Sequence, residues 1–321
     1  MRDEDRPRAI VPGYADRDVT KVPGWHGLVV WDVLLNSLTT GLYLFAAVAD
    51  LGFPGVLGPA ARAAYPVALA WLMADLLLLV LDLGDPLRFH HMLRIFKPSS
   101  PMSLGTWSLT AYSMPLGLIV GIELVEWLEL LPAWSTLLEG ARTASVVLAL
   151  LPAFGSVAYK GVLFSTSSQP GWKDARWLGG FMANSAALLG CVQILVLATL
   201  RGEERAAAAF RGVAVVLLPV SLIPTALVFR EIRGTLARLY TRRQIDLVTA
   251  LIVAGGTLAP WLILLLADGA ASTLIAASLV LLGSLAARAR FLEIPHASQE
   301  RRGQTPAGAS GHYSPTTGPA S

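Results

Sequence analysis

The sequence predicts an all-α integral membrane protein that crosses the bilayer about eight times as helices. Of its 321 residues, 54% are hydrophobic and 15% charged, against roughly 25% charged residues in an average soluble domain. Mean hydropathy is +0.58. The apolar residues come in long blocks with the charges collected between them, each block close to the ~20 residues that cross ~30 Å of hydrocarbon. Backbone amides in lipid must find partners within their own segment, and the blocks lack the two-residue alternation of barrel strands, so the spans read as helices.

Residues 1–26 mix acids with arginines and lack the apolar stretch of a signal peptide, so they form a polar N-terminal segment and the first span directs insertion. That span, Gly27–Asp50, carries Asp32 and Asn36 four residues apart, on one helix face. The second, Tyr65–Leu83, carries Asp75 and Asp82 seven apart, again on one face. The third, Leu104–Leu128, holds Glu123 and Glu126; the fourth, Ala141–Phe164, holds Tyr159 and Lys160. The fifth, Trp177–Leu200, offers Asn184 and Gln193 and the single cysteine, Cys191, which leaves the chain without a disulfide or an iron–sulfur cluster of its own. The last three are Ala207–Phe229, Ile245–Ala267 and Ala270–Arg288. Only Asp268 and Gly269 part the final two, so a re-entrant hairpin competes with a full crossing there. Residues 295–321, rich in Gly, Ser, Thr and Pro, read as a disordered tail.

With eight spans the loops alternate sides. Nineteen lysines and arginines then fall on the side of the termini and five on the other, with Lys160 inside a span, which predicts both termini in the cytoplasm of a cell inner membrane. The net charge of +3 and the pI of about 9.2 follow from this topology, and no nucleic-acid partner is expected.

An ionisable side chain near the bilayer centre costs about 2.5–3.5 kcal/mol even on the lenient insertion scale, so those that persist face a bundle interior or a water path. They crowd the first four spans, which is where a site belongs; the plainer reading is that they bond neighbouring helices. After span two, the run from Asp82 to Ser103 collects Asp82, Asp85, Arg88, His90, His91, Arg94 and Lys97 around Gly84 and Pro86, which break the helix at the membrane boundary. It reads as the mouth of a site. Anchoring to lipid headgroups would account for Arg94 and Lys97 alone. His90 and His91 point ~100° apart on a helix, and with no histidine deep in a span, axial haem ligation and metal binding are not expected.

The runs Asp82-Leu-Gly-Asp-Pro-Leu-Arg-Phe and Ser100-Pro-Met-Ser-Leu-Gly-Thr-Trp107 resemble the signature of the NrfD family, the membrane subunits of polysulfide reductase and related complexes. Trp25 ahead of a Gly-containing first span, Tyr159-Lys-Gly-Val-Leu and Pro170-Gly-Trp172 agree, and the resemblance covers Val22 to Phe291. It implies two four-helix bundles, here residues 27–164 and 165–294. It also implies a non-covalently bound quinone, menaquinone or ubiquinone, in the first bundle; no haem or cluster in this chain; an iron–sulfur, ferredoxin-like partner; and a catalytic subunit, of which a molybdopterin enzyme is one type. Three positions depart from the family pattern: Asp85 stands where arginine is common, Lys160 replaces a threonine, and Asn36-Ser37 occupies a place where glycines are common.

The expected function is a quinone- or quinol-interacting anchor subunit, not catalytic alone, of a multi-subunit oxidoreductase. A quinone needs an apolar slot, donors for its carbonyl oxygens and a proton route. His26, Asp82, Asp85, Arg88, His90 and Tyr159 are the candidate quinone-binding residues; Asp32, Asn36, Asp75, Glu123, Glu126 and Lys160 are the candidate proton path. A proton-coupled small-solute transporter and a passive anchor without quinone chemistry are the competing readings.

Overall fold

The computed structural model describes residues 27–83 and 85–303, with side chains to residue 298. Eight helices in it are long and apolar enough to cross a membrane: α1 (Gly27–Gly52), α2 (Pro54–Leu81), α3 (Pro101–Trp127), α4 (Ser135–Ser165), α5 (Leu178–Leu200), α6 (Glu204–Leu239), α7 (Arg242–Leu266) and α8 (Ala270–Gly303). No strand occurs among the described residues. The starts of α1, α3, α5 and α7 share one side with the ends of the other four. We call this side the terminal face, and the opposite side the far face.

Several helices outrun the apolar blocks that predict them. α2 begins at Pro54 rather than Tyr65, because proline suits the first helical position, and it accommodates Pro59 and Pro66 in its interior. α6 continues past Phe229 to Leu239 through a polar, arginine-bearing stretch, since a helix need not stop where the hydrocarbon does. α8 runs through Pro295 to Gly303, so residues 295–303 extend the helix rather than opening a tail; Ile294, Pro295 and Ser298 are buried there.

The final two spans are separate helices, each long and apolar enough to cross a membrane. Gly269 turns the chain with φ +102, a left-handed backbone that favours glycine. Arg211 of α6 donates to the carbonyls of Leu264 (2.8 Å) and Ala267 and pairs with Asp268, occupying carbonyls that the end of α7 leaves without helical partners. Within α7, residues Leu251–Leu258 form a π-helical stretch between α-helical Arg242–Ala250 and Ala259–Leu266.

α1 and α5 are the innermost helices: their apolar windows are 67% and 61% buried, against 39% or less elsewhere. α1 packs on α2, α4, α5 and α8, while α5 also meets α4, α6 and α8. Glycine permits the closest approaches. A Cβ on Gly190 would strike the backbone of Gly41 and Leu42, one on Gly161 the backbone of Gly179, and one on Gly256 would lie 2.7 Å from Gly283. One apolar core runs through both halves, from Leu42 and Leu72 to Ile194, Leu218 and Val280. A second gathers near the terminal face around Phe164, Trp172 and Phe291.

Candidate functional site

Four helix positions that the sequence marks as costly meet inside the first quartet. Lys160 of α4 donates from Nζ to Asp32 Oδ2 at 2.7 Å and to the Asp32 backbone carbonyl at 3.2 Å, and stands 3.8 Å from Asp75 Oδ1. Asn36 Nδ2 donates to Asp75 Oδ2 (3.2 Å) and to Ser156 Oγ (2.9 Å). α1, α2 and α4 each contribute, and the four-residue spacing from Asp32 to Asn36 on α1 and from Ser156 to Lys160 on α4 puts each pair on one face. Asp75 and Asn36 are fully buried, and Lys160 is 3% exposed.

Two carboxylates face one ammonium, and Asp32 Oδ1, Asn36 Oδ1 and Asp75 Oδ1 are buried without a hydrogen-bond partner. The cluster therefore has more acceptors than protons to fill them. Ionised carboxylates only accept; a protonated one would also donate.

Tyr159 sits next to Lys160, whose Nζ is 5.9 Å from the tyrosine ring centroid. Its ring lies against Gly105 of α3, where any Cβ would overlap it. Gly105 belongs to the Ser100–Trp107 run, whose other members shape the same corner. Ser100 caps α3 by accepting from the Ser103 amide (3.4 Å), and Ser103 Oγ accepts from the Lys97 amide (3.0 Å). Trp107 packs edge-on against Phe96 at 5.9 Å.

The predicted mouth residues lie at the terminal face. Asp82 ends α2, and its amide donates to the Leu78 carbonyl (2.9 Å). Asp85 precedes the 3-10 helix Pro86–Leu93 and pairs with Arg88 at 2.9 Å. His90 stacks edge-on with His91 at 4.4 Å. Asp82, Asp85, Arg88 and His90 are all exposed. They lie on one face with the near ends of α1 and α4, outside the buried cluster. His26 lies outside the described residues.

The other two predicted path residues join a second ionic group near the far face. Arg142 of α4 donates to Asp50 Oδ2 (2.6 Å) and Glu139 Oε1 (2.8 Å), and Glu123 Oε1 stands 3.9 Å away. Arg62 pairs with Glu139 (3.1 Å) and Glu126 (3.7 Å). Tyr65 donates to Asp50 at 3.0 Å. A cavity of about 670 Å³, bordered by Asp50, Arg62, Glu139, Arg142 and Arg201, opens beside them.

Between the two ionic groups lie hydroxyls. Thr39 Oγ1 donates to the Ala68 carbonyl (2.7 Å) and meets the Tyr112 hydroxyl at 2.8 Å. Tyr43, whose ring is 5.2 Å from Tyr112 and 5.9 Å from Tyr65, donates to the Val146 carbonyl at 2.5 Å.

Sequence reasoning missed Asp50, Arg142 and this tyrosine group. The i,i+3 spacing of Glu139 and Arg142 was the available signal, but nothing in the sequence links either to Asp50. It also misplaced Arg288, counted among the loop cations. Arg288 is 1% exposed inside α8, donating to Ser37 Oγ of α1 (2.8 Å), Ser185 Oγ of α5 (3.1 Å) and Ser284 of its own helix.

A family model described as polysulphide reductase, NrfD matches residues 21–294. No curated protein matches the chain.

Proposed function

The chain belongs to the NrfD family, membrane subunits of quinone-linked oxidoreductase complexes, and from that premise we propose that it exchanges electrons between a membrane quinone and an iron–sulfur partner subunit. The observation that carries the proposal is the buried Asp32–Lys160–Asp75 cluster with Tyr159 at its edge. Bound quinone supplies two-electron, two-proton redox chemistry. This chain's part is to hold it at the terminal face and to move the protons.

The residues suit that part. Tyr159 presents a phenol that can donate to a carbonyl oxygen, wedged by Gly105 so that its position is fixed. Behind it, Asp32 and Asp75 both face the Lys160 ammonium, at 2.7 Å and 3.8 Å. One proton shared between the two carboxylates would serve two of the vacant acceptors, Asp32 Oδ1 and Asp75 Oδ1, and Lys160 holds the remaining negative charge in place. Asp82, Asp85, Arg88 and His90 form the approach from the terminal face, where protons and the redox partner arrive. With one cysteine, the chain cannot ligate a cluster itself, so the iron–sulfur subunit docks on that face. The basic-residue count directs the face, and both termini, to the cytoplasm.

Asp75, the hydroxyls of Thr39, Tyr112, Tyr43 and Tyr65, and then Asp50, Glu123, Glu126 and Arg142 form the proton path toward the far face. Replacing Asp82→Asn or Tyr159→Phe in the intact complex is expected to lower quinol-linked turnover roughly 100-fold or more, the scale of losing one positioned proton-transfer group. Unchanged turnover in both would overturn the assignment.

A further inference from the structure

The second quartet contains a cavity of about 370 Å³ that none of the chemistry above uses. It lies between α5, α6, α7 and α8 at the terminal face, and Phe181, Val228, Ile232, Val248, Ile252 and Phe291 supply much of its apolar wall. Its floor follows from the α7–α8 crossing. Gly256 and Gly283 bring the two backbones into contact, and one turn toward the terminal face Ile252 and Ala287 already line open space. The π-helical stretch of α7 begins beside that wall, and such stretches are frequent at functional sites. Phe229 and Leu247, 38% and 61% exposed, border the cavity on its open side.

Polarity is graded along the cavity. Tyr240, Gln244 and Arg290 line its end nearest the terminal face. Arg238, Arg242 and Arg243 stand exposed beside that rim, where the neighbouring acids include Asp246 and Glu293. One of these, Glu293, pairs with Arg290 at 2.8 Å. The lining includes no carboxylate or histidine that could exchange protons with a quinone ring, and the deep Thr225 hydroxyl already donates to the Ser221 carbonyl at 2.8 Å. At about 30 Å³ per methylene, roughly the liquid volume of a water molecule, the space takes on the order of a dozen methylenes, one chain rather than two.

We propose that this cavity is a binding site for one anionic phospholipid, with an acyl chain between α6 and α7 and its phosphate against the Arg242, Arg243 and Arg290 rim. Charge complementarity selects the headgroup, and the apolar wall selects the chain. The site is separate from the quinone chemistry assigned to the first quartet.

The test uses the full chain in neutral detergent, with lipid counted by native mass spectrometry after exposure to phosphatidylglycerol or to phosphatidylcholine of the same chains. One phosphatidylglycerol per chain should be retained in preference to phosphatidylcholine. Val228→Trp, which fills the cavity, should abolish retention. Arg242→Gln and Arg243→Gln lie on the exposed rim and leave the fold intact; each should weaken retention about fivefold, the effect of one surface cation near an anionic headgroup. Equal retention of both lipids, retention unaffected by the rim substitutions, or an isoprenoid quinone displaced by Val228→Trp in place of phospholipid would each overturn the proposal.

Discussion

At the scale of single residues, the balance of charge around Lys160 sets the largest energies. Removing its ammonium leaves Asp32 and Asp75 side by side, at 13% and 0% side-chain exposure, with no cation. Breaking a buried pair by deleting one partner costs about 3–5 kcal/mol, whereas removing both charges costs far less. Lys160→Thr, which restores the residue the family favours, is therefore expected to lower the thermal midpoint in detergent sharply. Asp32→Asn added to it, deleting the carboxylate 2.7 Å from the ammonium, should recover part of the loss. If the double variant is no more stable than the single one, the two side chains do not interact as described. These residues were legible in the sequence because ionisable groups inside apolar blocks are rare enough to be conspicuous. Asp50 and Arg142 were not, because they sit near span ends where charges are ordinary, and their pairing joins positions 92 residues apart. Arg288 looked like a loop cation only because α8 runs on beyond the apolar block.

At the scale of helices, the close crossings are where a methyl group matters. Gly190→Ala would push Cβ into the backbone of Gly41 and Leu42, forcing α1 and α5 apart, and should cost about 1–3 kcal/mol as overpacking. Gly212→Ala, with nothing within 4 Å of the new methyl, should instead stabilise α6 by up to about 1 kcal/mol through helix propensity. Unfolding of the two variants in the same detergent separates packing from propensity; a neutral Gly190→Ala would show that α1 and α5 do not touch there. The existence and order of the eight helices could be read from apolar blocks, since hydrocarbon imposes a length on each. Their ends could not. Lipid thickness bounds the apolar run, not the helix, so α6 extends through Arg230 to Leu239, and proline at a helix start let α2 begin at Pro54.

For the whole molecule, orientation and vectorial chemistry are linked through the same polar line. A reporter fused after Ser321 should be active in the cytoplasm; activity on the outer side would reverse the face on which the redox partner docks. In proteoliposomes carrying the intact complex, quinol turnover is expected to move charge across the bilayer, and Asp75→Asn should diminish that signal more than it diminishes turnover. Absence of charge movement in the unaltered complex would remove the transmembrane path. The arrangement of Arg288 bears on a different event, the making of the protein. Its guanidinium is held by serines of the first, fifth and eighth helices, partners that come together only after most of the chain has been synthesised. When the eighth helix first leaves the translocon, that cation has only Ser284 of its own helix for company, and an arginine at mid-helix carries about 2.5–3.5 kcal/mol of insertion cost. The last segment should therefore settle into the membrane only against an already gathered set of helices, which makes its entry a checkpoint on correct assembly.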